Sequence, residues 1–571
     1  MIYEKLTPLY PYLLIKLLFL QKLIKSKTMK RLFSFIIAIV ISTIAQAQTG
    51  VRVTTQNGVL EGTETSGIKV FKGIPFAQPP VGELRWKAPK PVEPWTDVRQ
   101  CKEYGPNPMQ EALFGDMNFG TDKMSEDCLY LNIWTPAKDK DDRLPVVIYF
   151  NGGGLMAGSG SEPRYAGMSM ARKGVIGITA NYREGIFGFF AHPQLSAETP
   201  YKGSGNYGFM DQQAAIRWVK DNIKAFGGDP ARITILGESA GSMSVSALMA
   251  SPLSEGLFSQ AMGSSGSVLG YTPIATLKEA ELKGKEMMKQ LGCKSLKEMR
   301  LLPADTLMKR AAVKSVPIYN IDNYFMPCQP SEIYEKGEQM KVPLLVGGNS
   351  LEMTPMAFFG GIYMNGRTPT MDDVRIAAST LFGEYTDEML NLYGFTSGDD
   401  VLRQPGIDFS NDRFISYSTW RWADAHRRTG GMPVYKYMYC KERPRMVVEG
   451  KVAGLAGGVY DKDENAPKLP EVRGAVHSAD IEYAMGNLPT NRIYDWQPED
   501  YMVSDIFMGY YVNFIKTGNP NGLGLPEWKT YNPDVQPALL VIDTDTRMTC
   551  NDKEEKRYHR LNEIFNKQKP K

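Results

Sequence analysis

The chain has 571 residues, 43% of them hydrophobic and 23% charged. That is enough apolar content for a large core, and it excludes a disordered, collagenous or disulfide-dense chain. The formal charge of +3 is concentrated at the start: residues 1–47 carry seven Lys/Arg and one acid, which leaves residues 48–571 at −3 and no electrostatic case for nucleic-acid binding.

In chain order, Lys30-Arg31 forms a positive region, Leu32 to Ile44 an apolar one, and Ala45-Gln46-Ala47 an A-x-A cleavage pattern. Residues 29–47 therefore read as a signal peptide cleaved after Ala47, and the protein as secreted or periplasmic. The apolar run is shorter than the ~20 residues of a membrane-spanning helix, so no stable membrane insertion is expected. The signal begins at Met29, which makes residues 1–28 a candidate for a start codon assigned too far upstream. Residues 48–571 read as one large domain, without a long linker or a solenoid repeat.

From Val146 onward, strand-like apolar runs alternate with helical patterns. Val146 to Phe150, Val175 to Ala180, Ile233 to Leu236, Pro343 to Val346, Val434 to Tyr439 and Leu539 to Ile542 read as strands. Ile216, Val219, Ile223 and Phe226 recur at helical spacing until Gly227-Gly228 stops them, and Tyr510 to Phe514 belongs to a late helix. Strands alternating with helices predict an α/β fold, a mostly parallel sheet covered on both faces.

Gly237-Glu238-Ser239-Ala240-Gly241 matches G-x-S-x-G. Such a sharp strand-to-helix turn lifts a serine hydroxyl clear of the sheet. Its context fits, with Ile233-Thr234-Ile235 leading in and a helix-forming run from Ser242 to Met249 leading out. Asn151-Gly152-Gly153-Gly154-Leu155 directly follows the strand ending at Phe150, where glycines free backbone N–H groups to face a substrate oxygen. A serine nucleophile needs a base, and the chain has four histidines. His426 lies in an Arg-rich helical stretch, His559 in a charged tail, and His192 before Pro193 and upstream of the serine. His477 is left. No two histidines are i, i+4 neighbours and no C-x-x-C occurs, so neither sequence pattern points to a metal.

These motifs resemble the type-B carboxylesterase and lipase family, which includes the cholinesterases, over nearly the whole mature length. Gly73 to Pro80 with Leu84-Arg85-Trp86, Ser125 to Asn132, Asn181-Tyr182-Arg183, Gly227 to Pro230 and Thr517 to Gly522 are similar to its ordered blocks. The resemblance implies an α/β-hydrolase fold, with loop and helix insertions around the active site. It implies a serine carboxylesterase working through an acyl-enzyme, needing no cofactor, with small-molecule esters as substrates. Asn349-Ser350-Leu351-Glu352 is similar to the loop bearing the triad acid, which gives that role to Glu352; composition alone cannot single it out. Gly474-Ala475-Val476-His477 is similar to the block bearing the base. The catalytic set is then Ser239, Glu352 and His477, with the N–H groups of Gly153, Gly154 and Ala240 as oxyanion hole. The resemblance also makes a Cys101–Cys128 disulfide a candidate, with the first cysteine displaced: Pro108 stands where a bacterial member often has it.

The sequence departs from the family in several places. Asn151 stands where many bacterial members have His. Glu184 follows Asn181-Tyr182-Arg183 where an apolar residue is usual, as a surface charge or the partner of a nearby base. No Trp lies between Cys101 and Cys128, which disfavours a choline ester. Met353, Met356, Phe358 and Phe359 follow the acid loop and are candidates for an apolar pocket or for core packing. The glycine loop resembles that of members accepting bulky alcohols. Two competing readings exist: a non-catalytic cholinesterase-like adhesion protein, against which three chemically competent triad positions argue, and a lipase or amidase of the same fold.

Overall fold

The computed structural model describes residues 49–114, 116–312, 319–454, 457–463, 465–466 and 468–567. The expected signal peptide and upstream start lie outside them. Thirteen strands form one sheet: β1 (Thr49–Thr55), β2 (Gly58–Thr65), β3 (Ile68–Pro75), β4 (Arg99–Gln100), β5 (Tyr130–Thr135), β6 (Leu144–Phe150), β7 (Ile176–Ala180), β8 (Gly228–Glu238), β9 (Gln260–Ser264), β10 (Leu344–Asn349), β11 (Val434–Tyr439), β12 (Ala538–Ile542) and β13 (Arg547–Cys550). Their spatial order is β1-β2-β3-β5-β7-β6-β8-β9-β10-β11-β12-β13, with β4 beside β2. The seven strands from β7 through β12 run parallel. The margins are antiparallel apart from β4, which runs parallel to β2: β1, β2, β3 and β5 extend one side and β13 closes the other. The fold is the expected α/β-hydrolase arrangement, a large mostly parallel sheet flanked by helices.

The parallel strands are apolar throughout because both faces are covered. Alternation within each strand sorts its side chains between two layers. Val146, Ile148, Phe150, Ile233, Ile235, Leu344 and Val346 point to one. There they meet helices α2 (Tyr207–Asn222), α3 (Ala240–Ala250) and α5 (Ser416–Gly430), and α4 (Gln404–Phe414) lies in the same layer. Val147, Tyr149, Leu236, Met262, Leu345, Tyr435, Tyr437 and Tyr439 point to the other, against Val503, Phe507, Tyr510, Tyr511 and Phe514 of α6 (Pro498–Thr517). Helix α1 (Gly185–Phe189) precedes α2, and α7 (Asp552–Lys567) ends the described chain. After α2 the chain tightens into a 3₁₀ turn, Ile223–Phe226, and Gly227 takes the left-handed cap that stops it, at φ 81°.

The loops leaving the carboxyl ends of β6, β8, β9 and β10 begin at Asn151, Ser239, Ser265 and Ser350. Parallel strands gather these loops at one edge of the sheet, the edge where open α/β sheets place their ligands.

The expected Cys101–Cys128 bridge is not made: all six cysteines are free thiols, and these two are buried. The β3 segment lies between them. The Cys101 carbonyl accepts from Lys72 N, whereas the carbonyl of Leu129, next to Cys128, accepts from Phe76 N on the β5 side. Thiol titration in denaturant, without reductant, should therefore return six thiols per chain; four would mean that a bridge forms.

Candidate active site

The turn at Ser239 is built by its glycines. Ser239 sits at φ 56° and ψ −122°, between β8 and the first residue of α3. A Cβ on Gly237 would lie 2.3 Å from the Gly241 carbonyl carbon, and one on Gly241 would lie 2.1 Å from the Phe150 carbonyl oxygen. Only glycine lets the strand, the helix and β6 approach this closely. The turn is pinned by Ser239 N donating to Ser264 O at 2.9 Å and by Met243 N donating to Ser239 O at 2.9 Å. Ala240, first in the helix, carries an N–H with no intrahelical acceptor.

The glycine loop after β6 faces the same space. Gly153 and Gly154 have φ of 108° and 68°. The Gly153 carbonyl accepts from Met156 N and Ala157 N, so the loop folds back on itself, and a Cβ on Gly153 would collide with Ala157 O. Gly152, Gly153, Gly154, Ser239, Ala240 and His477 line one cavity of about 650 Å³. Its wall is largely apolar, with Glu162, Arg164, Glu238, Lys283 and Asp412 as ionisable members beside His477. Of the four residues expected as a pocket, only Met353 reaches this wall. Phe358 and Phe359 pack on Phe409, and Met356 lies against the core. Helical spacing after Pro355 turns these three away from the cavity.

His477 Nδ1 and Glu352 Oε2 are 2.6 Å apart. The other carboxylate oxygen, Oε1, accepts from Asn349 N at 2.6 Å and Ser265 Oγ at 2.5 Å, so no lone oxygen of the buried acid is idle. The two loops are laced together. Leu351 N donates to Ala475 O, Ala475 N to Ser350 Oγ, and Asn349 Nδ2 to Val476 O. Asn411 on α4 fixes the acid loop from behind, accepting from Met353 N and donating to Ser350 O. The edge-to-face ring of Phe414 holds the imidazole from the cavity side.

The other histidines are engaged elsewhere. His192 caps a short helix by accepting from Gln194 N. His426 is buried on α5 with Nε2 against Val342 O, and burial pushes it down to about 4. His559 lies on α7.

Sequence reasoning missed three polar neighbours. Glu238, buried beside Ser239, has Oε1 3.3 Å from His477 Nε2, an ion pair when the ring holds both protons and the carboxyl is ionised. Ser265 was unread because the short strand β9, rich in Gly and Ser, carries no apolar pattern. Asp480 accepts from Ser264 Oγ and from Asn349 Nδ2 at 3.2 Å; its spacing of three from His477 was the available signal. Burial pushes the Glu238 carboxyl up to about 8, the charges of Asp480 and Glu352 adding and that of His477 opposing. Burial alone would lower His477, but Glu238 and the hydrogen-bonded Glu352 outweigh it and lift the ring to about 9.

The two departures near the glycine loop touch each other. Glu184, expected as a surface charge or the partner of a base, is buried, and its Oε1 accepts from Asn151 Nδ2 at 3.1 Å. Asn151 Nδ2 also donates to Gly152 O at 2.9 Å.

This arrangement has relatives. The model of the Carboxylesterase family matches residues 49–560. A fumonisin B1 esterase from Sphingopyxis macrogoltabida is 37% identical over 396 residues, 66% of this chain and 71% of that one. The para-nitrobenzyl esterase of Bacillus subtilis (strain 168) is 30% identical over 527 residues, 88% and 97% of the two chains. A solved carboxylesterase structure from Geobacillus stearothermophilus superposes with a TM-score of 0.72 at 28% identity, covering 90% of this chain and 99% of that one.

The His477 ring should titrate above the ~6.5 of free histidine in NMR spectra of labelled protein, and Glu238→Gln, by removing an anion, should move the midpoint down. A wild-type midpoint at or below that value, or one unmoved by Glu238→Gln, contradicts this electrostatic account.

Proposed function

The chain belongs to the carboxylesterase family and hydrolyses carboxylic esters; we propose that it does so through an acyl-enzyme on Ser239, with His477 as base and Glu352 as the acid that orients it. The observation that carries this reading is the 2.6 Å contact between His477 Nδ1 and Glu352 Oε2, in a ring that lines the Ser239 cavity. Fixing Nδ1 against a carboxylate leaves Nε2 as the acceptor that faces reacting groups.

His477 Nε2 takes the Ser239 proton as Oγ attacks the ester carbonyl carbon. The carbonyl π electrons move to oxygen, where the N–H groups of Gly153, Gly154 and Ala240 receive the charge; one such donor is typically worth ~10²–10³ in turnover. The imidazolium returns its proton to the departing alcohol, and water then repeats the sequence on the acyl-enzyme. Glu352 orients the ring and stabilises its cationic form. Since the reaction starts from neutral imidazole, and neighbouring carboxylates favour its protonated form, kcat/KM should fall as pH drops through the raised pKa of His477, about 9.

The same proposal includes export. Lys30-Arg31, the apolar run Leu32 to Ile44 and Ala45-Gln46-Ala47 support a signal peptide over residues 29–47 and a secreted or periplasmic enzyme.

Ser239→Ala should lower kcat on p-nitrophenyl butyrate by about 10⁴ or more, and Glu352→Gln by about 10⁴, with thermal unfolding unchanged; a folded Ser239→Ala enzyme turning over like wild type would refute the assignment. Expressed with its leader in a Gram-negative host, the exported protein should begin at Gln48 by intact mass, and exported protein that retains residues 29–47 would refute the cleavage.

A further inference from the structure

Glu184 lies directly behind the glycine loop, has no ion-pair partner among the described residues, and is used by no step above. Its backbone is fixed from both sides: its carbonyl accepts from Phe187 N and Gly188 N at the start of α1, and the next N–H, of Gly185, donates to Leu155 O at 2.7 Å. The side chain reaches Asn151, whose amide sits inside the loop's own curl. A Cβ on Gly158 would lie 1.9 Å from Asn151 Nδ2, so the loop closes tightly over this amide. Tyr182 completes the packing by donating its hydroxyl to Asn151 O at 2.9 Å.

The neighbouring guanidinium groups are paired with other carboxylates, although Arg183 Nη1 is buried without a hydrogen-bond partner. Arg183 gives Nε and Nη2 to Asp211, both at 2.7 Å, and Nη2 also to Lys87 O. Arg85 gives Nε and Nη2 to Glu126 and Nη1 to the carbonyls of Met299 and Leu302. The remaining titratable neighbours, the Cys128 thiol and the Tyr182 phenol, are pushed up by burial and stay neutral. Each nearby cation thus has its own carboxylate, and Glu184 is the surplus acid. Burial pushes its carboxyl well above the usual range, against the hydrogen bond from Asn151.

Two buried oxygens here have no donor: Asn151 Oδ1 and Glu184 Oε2. They belong to the two groups whose other atoms are already joined, Nδ2 to Oε1. One proton on Glu184 supplies the donor that the pair lacks. We propose that Glu184 is a positioning residue for the ester hydrolysis assigned above, a neutral carboxylic acid that accepts from Asn151 Nδ2 and donates Oε2–H to Asn151 Oδ1, the acid–amide pair holding the Gly152–Gly154 loop in its oxyanion-binding shape.

Glutamine reproduces this pattern of one donor and one acceptor without ionising; leucine removes it. Glu184→Leu should lower kcat on p-nitrophenyl butyrate by about 10²-fold, the scale of a loop displaced by an ångström, with KM little changed. Inhibition by an alkyl trifluoromethyl ketone, whose adduct with the nucleophile carries an oxyanion, should weaken by a similar factor. Glu184→Gln should restore both to within about threefold of wild type and leave the pH–rate profile in place, because no charge has been removed. Infrared difference spectra at neutral pH, wild type minus Glu184→Gln, should show the carbonyl stretch of a protonated carboxyl.

A Glu184→Gln enzyme as impaired as Glu184→Leu, a displaced acid limb, or a carboxylate band in the difference spectrum would overturn the proposal, as would a Glu184→Leu enzyme with unchanged kcat and inhibition. If Glu184→Leu does not fold, Glu184→Gln and the infrared spectrum decide alone. Wild type is assayed beside Ser239→Ala, so a failure of the Ser239 assignment shows there and not in the Glu184 series.

Discussion

The turn at Ser239 is the constraint on which the rest of the site depends. A non-glycine residue at φ 56° and ψ −122° is strained, by about 1–3 kcal/mol. The fold sustains that strain through contacts formed only when β6, β8, β9 and α3 are all in place. Ser239 N bonds to the end of β9, Ser242 Oγ to Gly266 O, and Gly241 packs on the last carbonyl of β6. At about 0.5–1.5 kcal/mol each, two or three such bonds offset the cost. They also lock the serine to the strand whose loop carries the glycines. The seven parallel strands are what bring those four elements to a common edge.

Around that turn the protein buries more acid than base. Glu238, Glu352, Asp480 and His477 lie within a few ångströms of one another, and Glu184 lies behind the loop. Each acid is accommodated differently. Glu352 has hydrogen bonds on both oxygens and an imidazole for a partner. Asp480 has Ser264 and Asn349. Glu184 has a single amide and no free cation. Protonating an ordinary glutamate at pH 7 costs about 3.7 kcal/mol, less than burying an unpaired carboxylate with its several-kcal/mol desolvation penalty. The difference in partners explains why one acid supports an imidazolium and another holds a loop without charge.

Much of this was legible in the sequence, and the exceptions share causes. The central strands were readable because a parallel strand buried on both faces is a continuous apolar run. Ser239 and the glycine loop were readable because backbone geometry at those points demands glycine, and demanded glycines leave a pattern. His477 emerged from a short supply of histidines. Glu352 did not emerge from the residues alone, since its position depends on the parallel register of β10 with β9 and β11, which no local spacing encodes. β9, β4 and the antiparallel margin before Val146 are short or half-exposed and lack periodicity. The disulfide expectation failed because similarity to a family records which residues are present, whereas pairing depends on which side of β3 each one lies. The departures at Asn151 and Glu184 were visible as substitutions, but 33 residues separate them, and only the fold shows that they touch.

The central claim, that Ser239 carries the acyl group, is tested most directly by trapping it. The enzyme would be mixed with excess p-nitrophenyl butyrate, quenched in acid within one turnover, digested and sequenced by mass spectrometry. The account predicts a butyryl group on the peptide containing Gly237-Glu238-Ser239-Ala240-Gly241, localised to Ser239. An acyl group on another side chain, or full turnover with no acylated peptide under conditions that trap a known acyl-enzyme, would contradict it.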